Sequence, residues 1–290
     1  MSYTYDPEGR RMEGSRIVTE KTAAGSSRST EMARDVNGRF VPRESVEERV
    51  VSKDDSGSVI ERVVQRYDPN GAALAPERVR IEQRKEADGS VTSVETRLRA
   101  DLNGNYKIAE VVRTVTETSA GRTTSRTSVE RPGLDDRMEV VEKSVAVEQK
   151  TGQVTTGTTT TLRRGLSGDF TTVQKQLTER VQTDSRTTET VTLYNGSGMG
   201  GLRPVQQTVA STEKRPDGSV TTQVELYTRN APTVAVEGKL QLREQVLIRK
   251  VPTENGALET VSLRQAQADG GIPRGPYQKV AERLCVGECK

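Results

Sequence analysis

"RADLNGNYKIAEVVRTVTETSAGRTTSRTSVERPG", Arg99 to Gly133, holds two turn signals and two strand-like runs of nearly equal length. Asn103-Gly104 and Ala120-Gly121 are the turn signals, and Asn-Gly suits a tight hairpin turn because both central residues can take positive φ. Around them Val, Ile, Tyr and Thr interleave with Glu, Arg and Lys. Alternation of period two, dominated by Val and Thr, marks a strand that offers one face to each side of a sheet. The preceding segments repeat it. Val94, Thr96, Leu98 and Ala100 share one parity against Ser93, Glu95, Arg97 and Arg99, and Val79 and Ile81 alternate with Arg78, Arg80 and Glu82.

The same turns recur along the chain. Gly38, Gly71, Gly104, Asp136 and Gly168 are separated by 33, 33, 32 and 32 residues. An interleaved series, Gly25, Gly57, Gly89, Gly121, Gly152 and Asp184, steps by 32, 32, 32, 31 and 32. Two series with one period identify a tandem array. Each unit reads as a long β-hairpin, and sequential hairpins pair most simply with their neighbours. The expected fold is therefore all-β: tandem repeats of ~32 residues forming a long antiparallel meander sheet, single-layer, coiled or stacked, of about sixteen strands. Regular repeats are expected over 1–195, a degenerate continuation over 196–265, and a Gly/Pro-rich joint with a tail or cap over 266–290. Within that tail, Tyr277 to Leu284 is expected as a short helix. Two places after the first turn stands Phe40, Tyr106, Met138 or Phe170, a recurring packing plug.

Composition excludes more than it names. Val, Ile, Leu and Phe make up 59 of the 290 residues, and Trp is absent. That is close to the level at which a chain cannot offset its ordering entropy by burial. The phased turns nevertheless argue for order. Forty-four basic and 41 acidic residues give a net charge of +3. The signs alternate along the chain, so neither a basic footprint nor an aromatic platform for nucleic acid exists. No His is present, which removes the commonest general base and transition-metal ligand. No apolar run reaches the ~20 residues of a membrane helix, and segments such as "TSRTSVER" lack the apolar band of a membrane barrel. The start "MSYTYDPEGRR" shows no secretory h-region.

The opening "YTYDPEGRR" (Tyr3, Tyr5, Asp6, Gly9, Arg10) and "RYDPNG" (Tyr67, Asp68, Gly71) resemble the tyrosine-aspartate repeats of the Rhs family, with "DVNGR" and "DLNGN" as weaker echoes. The resemblance covers the turns of three or four units, and the period here is longer than that family's. It implies long antiparallel β-strips that spiral into hollow shells on secreted or cell-surface proteins.

Motifs with chemical potential have plainer readings. "NGSGMGG" (Asn195 to Gly201) leads into no helix and reads as an irregular loop instead of a phosphate cradle. Thr in register within "VTTGTTTTLRR" can order water, and is also simply a favoured strand residue. Asp54, Asp55, Asp68, Asp88, Asp101, Asp135 and Asp136 fall in turns, where Asp caps local backbone; no EF-hand spacing points to calcium. Cys285 and Cys289 can close a small disulfide, link subunits, or stay as thiols. The expectation is a non-enzymatic structural protein without catalytic residues, cofactor or metal. It would serve as a spacer, shell or fibre subunit at or outside the cell surface, a cytoplasmic location being compatible with the same sequence. Its terminal strands would be exposed edges for self-association. The alternative is an adhesin or stalk that grips polysaccharide.

Overall fold

In the computed structural model the described residues are 2–5, 11–23, 26–34, 39–101, 103–196, 201–229, 240–254, 256–266, 273 and 275–286. They form eighteen strands and no helix. These are β1 (Ser2–Tyr5), β2 (Arg11–Ala23), β3 (Ser26–Arg34), β4 (Phe40–Asp54), β5 (Gly57–Arg66), β6 (Glu77–Lys85), β7 (Val91–Ala100), β8 (Tyr106–Ser119) and β9 (Arg122–Pro132). They continue as β10 (Met138–Thr151), β11 (Val154–Arg164), β12 (Phe170–Gln182), β13 (Arg186–Gly196), β14 (Leu202–Lys214), β15 (Val220–Thr228), β16 (Gln241–Thr253), β17 (Gly256–Gln265) and β18 (Gln278–Val286). The fold is the all-β meander of tandem antiparallel hairpins that the period implies. The chain divides into two compact units.

The unit of residues 15–147 and 161–171 contains β3 to β9, each paired antiparallel with the next. Its turns explain the first glycine series. In each of four loops the first residue donates its N–H to the carbonyl of the fifth, and the fourth donates to the first: Asp68–Ala72, Asp101–Asn105, Gly133–Arg137 and Gly165–Asp169, at 2.8 to 3.2 Å. The fourth position needs positive φ, and Gly71, Gly104, Asp136 and Gly168 supply it at 85°, 81°, 60° and 89°. Gly57 has a different reason. It opens β5, and a Cβ there would lie 2.1 Å from the carbonyl oxygen of Gln83 on β6. Gly38 lies outside the described residues.

Both faces of this unit are charged. On one, Arg80 lies 3.7 Å from Glu61 across β5–β6. On the other, Glu44, Arg66, Glu77 and Arg99 run across β4 to β7 with contacts of 3.2, 3.9 and 3.3 Å. A second row joins Arg97, Glu110 and Arg131 at 3.5 and 2.8 Å. Along β8–β9, hydroxyls pair at Thr114–Thr127, Thr116–Ser125 and Thr118–Thr123, 2.9 to 3.2 Å apart. Each cross-strand pair contributes roughly 0.2–1 kcal/mol. Such increments stand in for a core: among the described residues the buried apolar side chains are Val79, Val111, Ala257 and Pro273, and none is fully buried.

The other unit holds β12 to β18 in sequential antiparallel pairing, together with β1. Two expectations are corrected here. The helix expected over Tyr277–Leu284 is instead β18, in register with β17 from Leu263↔Gln278 to Gly256↔Val286. The open backbone edge of β17 outweighs the local helical preference of this short run. Nor is the last strand a bare edge: β1 pairs with it at Ser2↔Arg283, Tyr3↔Glu282 and Thr4↔Ala281. The segments read as degenerate keep the hairpin form, with β14–β15 and β16–β17 in nine- and ten-residue registers.

A bulge recurs at a fixed phase in both units. The ladder skips one residue at Arg43 in β4, Ala109 in β8, Val205 in β14, Arg243 in β16 and Val280 in β18. Three places before each stands an apolar residue: Phe40, Tyr106, Leu202, Leu240 and Tyr277. The plug thus marks where a strand begins, the longer one of its hairpin except at β18, and Met138 and Phe170 likewise open β10 and β12. Bulges sharpen local twist. The extra residue's carbonyl is not left unpaired: Arg43, Val205 and Arg243 accept from Tyr67, Arg229 and Ala266 at 3.0, 3.3 and 2.7 Å.

Candidate functional site

Among the described residues, polar side chains converge most densely on one face of β15 to β17. Strand alternation puts Gln223, Glu225 and Tyr227 on that face, with Val224 and Leu226 opposite. Register then aligns Glu225 with Gln245 of β16, and Gln245 with Arg264 of β17. The Glu225 carboxylate accepts from the Tyr227 hydroxyl at 2.7 Å, Gln245 Nε2 at 2.8 Å and Gln223 Nε2 at 3.1 Å. Gln245, only 7% exposed, turns its Oε1 to Arg264, which donates from Nε at 3.0 Å and from a second guanidinium nitrogen. Arg264 continues outward, donating to the Gly275 carbonyl at 3.2 Å and lying 4.7 Å from the Tyr277 ring centroid. Pro273, four residues before Tyr277 in the chain, is buried.

Electrostatics follow from the geometry. The Tyr227 hydroxyl, then the glutamine amides and Arg264, hold the Glu225 carboxyl below the ordinary glutamate range despite its partial burial. The same hydrogen bond, with desolvation, pushes the Tyr227 phenol up. A carboxylate held ionised and a phenol held neutral are poorly matched to proton transfer near neutral pH. What the network does achieve is attachment. It joins a negative and a positive side chain through one buried amide and holds Gly275 and Tyr277 against the sheet.

The residues singled out in the sequence are dispersed. Phe40, Tyr106, Met138 and Phe170 stand at separate strand starts; Tyr106 lies 4.0 Å beneath the Arg78 guanidinium and Phe170 4.4 Å from Lys143 Nζ. Gly89, Gly121 and Gly152 adopt the positive φ of turn residues. Asp54, Asp68, Asp88, Asp101 and Asp135 accept backbone N–H groups of their own turns. Hydrogen bonds from Ser56, Ser90 and Ser219 hold Asp54, Asp88 and Asp217 below the usual aspartate range. Among the described residues no group of three or more His, Cys, Asp or Glu is placed to hold a metal ion, and no helix is long and apolar enough to cross a membrane. Cys285 lies in β18 in register with Ala257; Cys289 lies outside the described residues, as does most of the 195–201 loop.

Sequence reasoning passed over the Glu225 network because its residues belong to three strands and two repeats. The available signal was Gln-x-Glu-x-Tyr at 223–227, a wholly polar parity set in a strand whose other face carries Val220, Val224 and Leu226. No family model, curated protein or solved structure matches the chain.

Proposed function

We propose that this protein is a non-enzymatic structural β-repeat protein, a spacer or shell element acting at or outside the cell surface, with self-association running through its sheet edges. The observation that carries this reading is the mode of stabilisation. Hairpins of fixed period are held by ion-pair rows and hydroxyl ladders repeated from strand to strand, and the most convergent polar cluster serves attachment. Repeat arrays of this kind accumulate stability unit by unit and suit extended mechanical roles. The turn motifs similar to tyrosine-aspartate repeats support the surface location.

Edge association has a specific requirement. Because β1 covers Ala281 to Arg283 of β18, a second copy must displace it to add a strand there. Sedimentation velocity and negative-stain electron microscopy on the full chain and on a variant lacking residues 1–5 test this. The expected outcome is a concentration-dependent shift to oligomers or filaments in the truncated chain, at concentrations where the full chain is smaller. Equal, monomeric behaviour of both at high concentration refutes edge association.

A further inference from the structure

The five-residue turns carry chemically fragile dipeptides. Glu86–Ser90 and Arg215–Ser219 close as the turns of the first glycine series do. The third and fourth residues of four such turns are Asn70-Gly71, Asp88-Gly89, Asn103-Gly104 and Asp217-Gly218, with Asn70, Asp88, Asn103 and Asp217 all exposed. Asn-Gly is especially open to cyclisation, because glycine has no side chain to crowd attack on the carboxamide. The glycine nitrogen loses its proton and bonds to the asparagine Cγ, the Cγ–Nδ2 bond breaks, and ammonia leaves. Water then opens the cyclic imide at either carbonyl, giving aspartate or isoaspartate. In isoaspartate the main chain runs through Cβ and Cγ and is one atom longer. A turn closed by bonds between its first and fifth residues cannot keep that closure with the extra atom.

The turns hold the reacting nitrogen. Gly71 and Gly104 donate their N–H groups to the carbonyls of Asp68 and Asp101 at 2.9 and 3.0 Å, so cyclisation must first break that bond. Each first-position aspartate also binds the rest of its turn. Asp68 Oδ1 accepts from the N–H groups of Asn70 at 2.8 Å and Ala72 at 2.9 Å, and Asp101 Oδ1 from those of Asn103 and Asn105, both at 2.9 Å. The place of the carboxylate follows the third residue. Where that residue is Asn, the first is Asp, and Asp35-Val36-Asn37-Gly38 repeats the pattern outside the described residues. Where it is Asp88 or Asp217, the first is Glu86 or Arg215, and the third residue's own carboxylate accepts from the Ser90 or Ser219 N–H at 2.9 or 2.8 Å. The serines hold those two carboxyls ionised, and an ionised carboxylate is a poor electrophile. Among these four turns the hazard therefore lies at the two asparagines.

We infer that Asn70 and Asn103 are latent isoaspartate sites, kept dormant in the folded chain by the turns that Asp68 and Asp101 hold closed. Both asparagines are exposed already, so local opening of each turn, and not access of water, sets the rate of modification. The test incubates the full chain in mildly alkaline buffer, folded and in urea, and follows each site by peptide mass spectrometry with isoaspartate separated by chromatography. Asp68→Ala and Asp101→Ala variants run in parallel, their strand content and melting checked by circular dichroism. Conversion at both sites is expected to be about tenfold or more slower in the folded wild type than in urea. In Asp68→Ala, conversion rises several-fold at Asn70 while Asn103 of the same molecule is unchanged, and Asp101→Ala gives the mirror image. Equal rates in the folded and unfolded wild type overturn the inference without recourse to any variant. An unchanged rate at Asn70 in folded Asp68→Ala also overturns it, as does equal acceleration at both sites, which assigns the protection to global stability.

Discussion

Gln245 shows how much depends on one side chain where a core is nearly absent. Its amide accepts from Arg264 and donates to Glu225, so removing it leaves two charged groups short of partners at once. Gln245→Leu is expected to lower stability by about 1–3 kcal/mol in urea denaturation. The pH dependence has a definite sign. Glu225 is depressed in the folded state, so its contribution is fully present above the ordinary glutamate pKa of about 4.3 and is lost as pH falls toward the folded value. Glu225→Gln should flatten the acid limb of the stability curve relative to the wild type. At this scale the sequence was legible for turns and opaque for contacts. Gly71, Gly104 and Gly168 declare their conformation through local sterics. The joining of Glu225 to Arg264 depends on a register spanning two hairpins, which no local pattern encodes.

At the scale of the element, the plug and the bulge belong together. Phe40 and Tyr106 were readable as a recurrence; their meaning, a strand start three residues ahead of a skipped pairing, was not. Leu202 and Leu240 fill the same role with another side chain, and Tyr277 at altered spacing, so a search by residue type and period misses them. The helix expected at Tyr277–Leu284 failed for a related reason. A nine-residue segment beside an unpaired strand edge is governed by the ladder it can complete, not by its own propensity. Deletions separate these cases. Removing Ala109 restores an unbroken ladder between β7 and β8 and is expected to leave melting nearly unchanged by circular dichroism. Removing Val111 turns one part of β8 over relative to the other, exchanging its faces; a large fall in melting temperature, or no folding, is expected.

For the whole molecule, period and composition together disclosed the class of fold, because a 32-residue recurrence of turns is a global property written locally. Among the described residues there are eighteen strands against the expected sixteen or so, since β1 and β18 lie outside the phased series. The scarcity of buried apolar surface has a calorimetric signature. Unfolding should show a heat-capacity increment below the ~12 cal/mol/K per residue of ordinary globular proteins; a value at or above that level contradicts the reading of its stability. The pairing of Ser2–Thr4 with Ala281–Arg283 imposes an order of events in time. Every hairpin can close on neighbours made moments before, a short-range step, whereas this seam joins residues 2–4 to residues 281–283 and carries a correspondingly large loop-closure entropy. During synthesis the leading segment must therefore wait, unpartnered on that side, until the final strand emerges, and in that interval it is open to proteases, chaperones or another nascent copy.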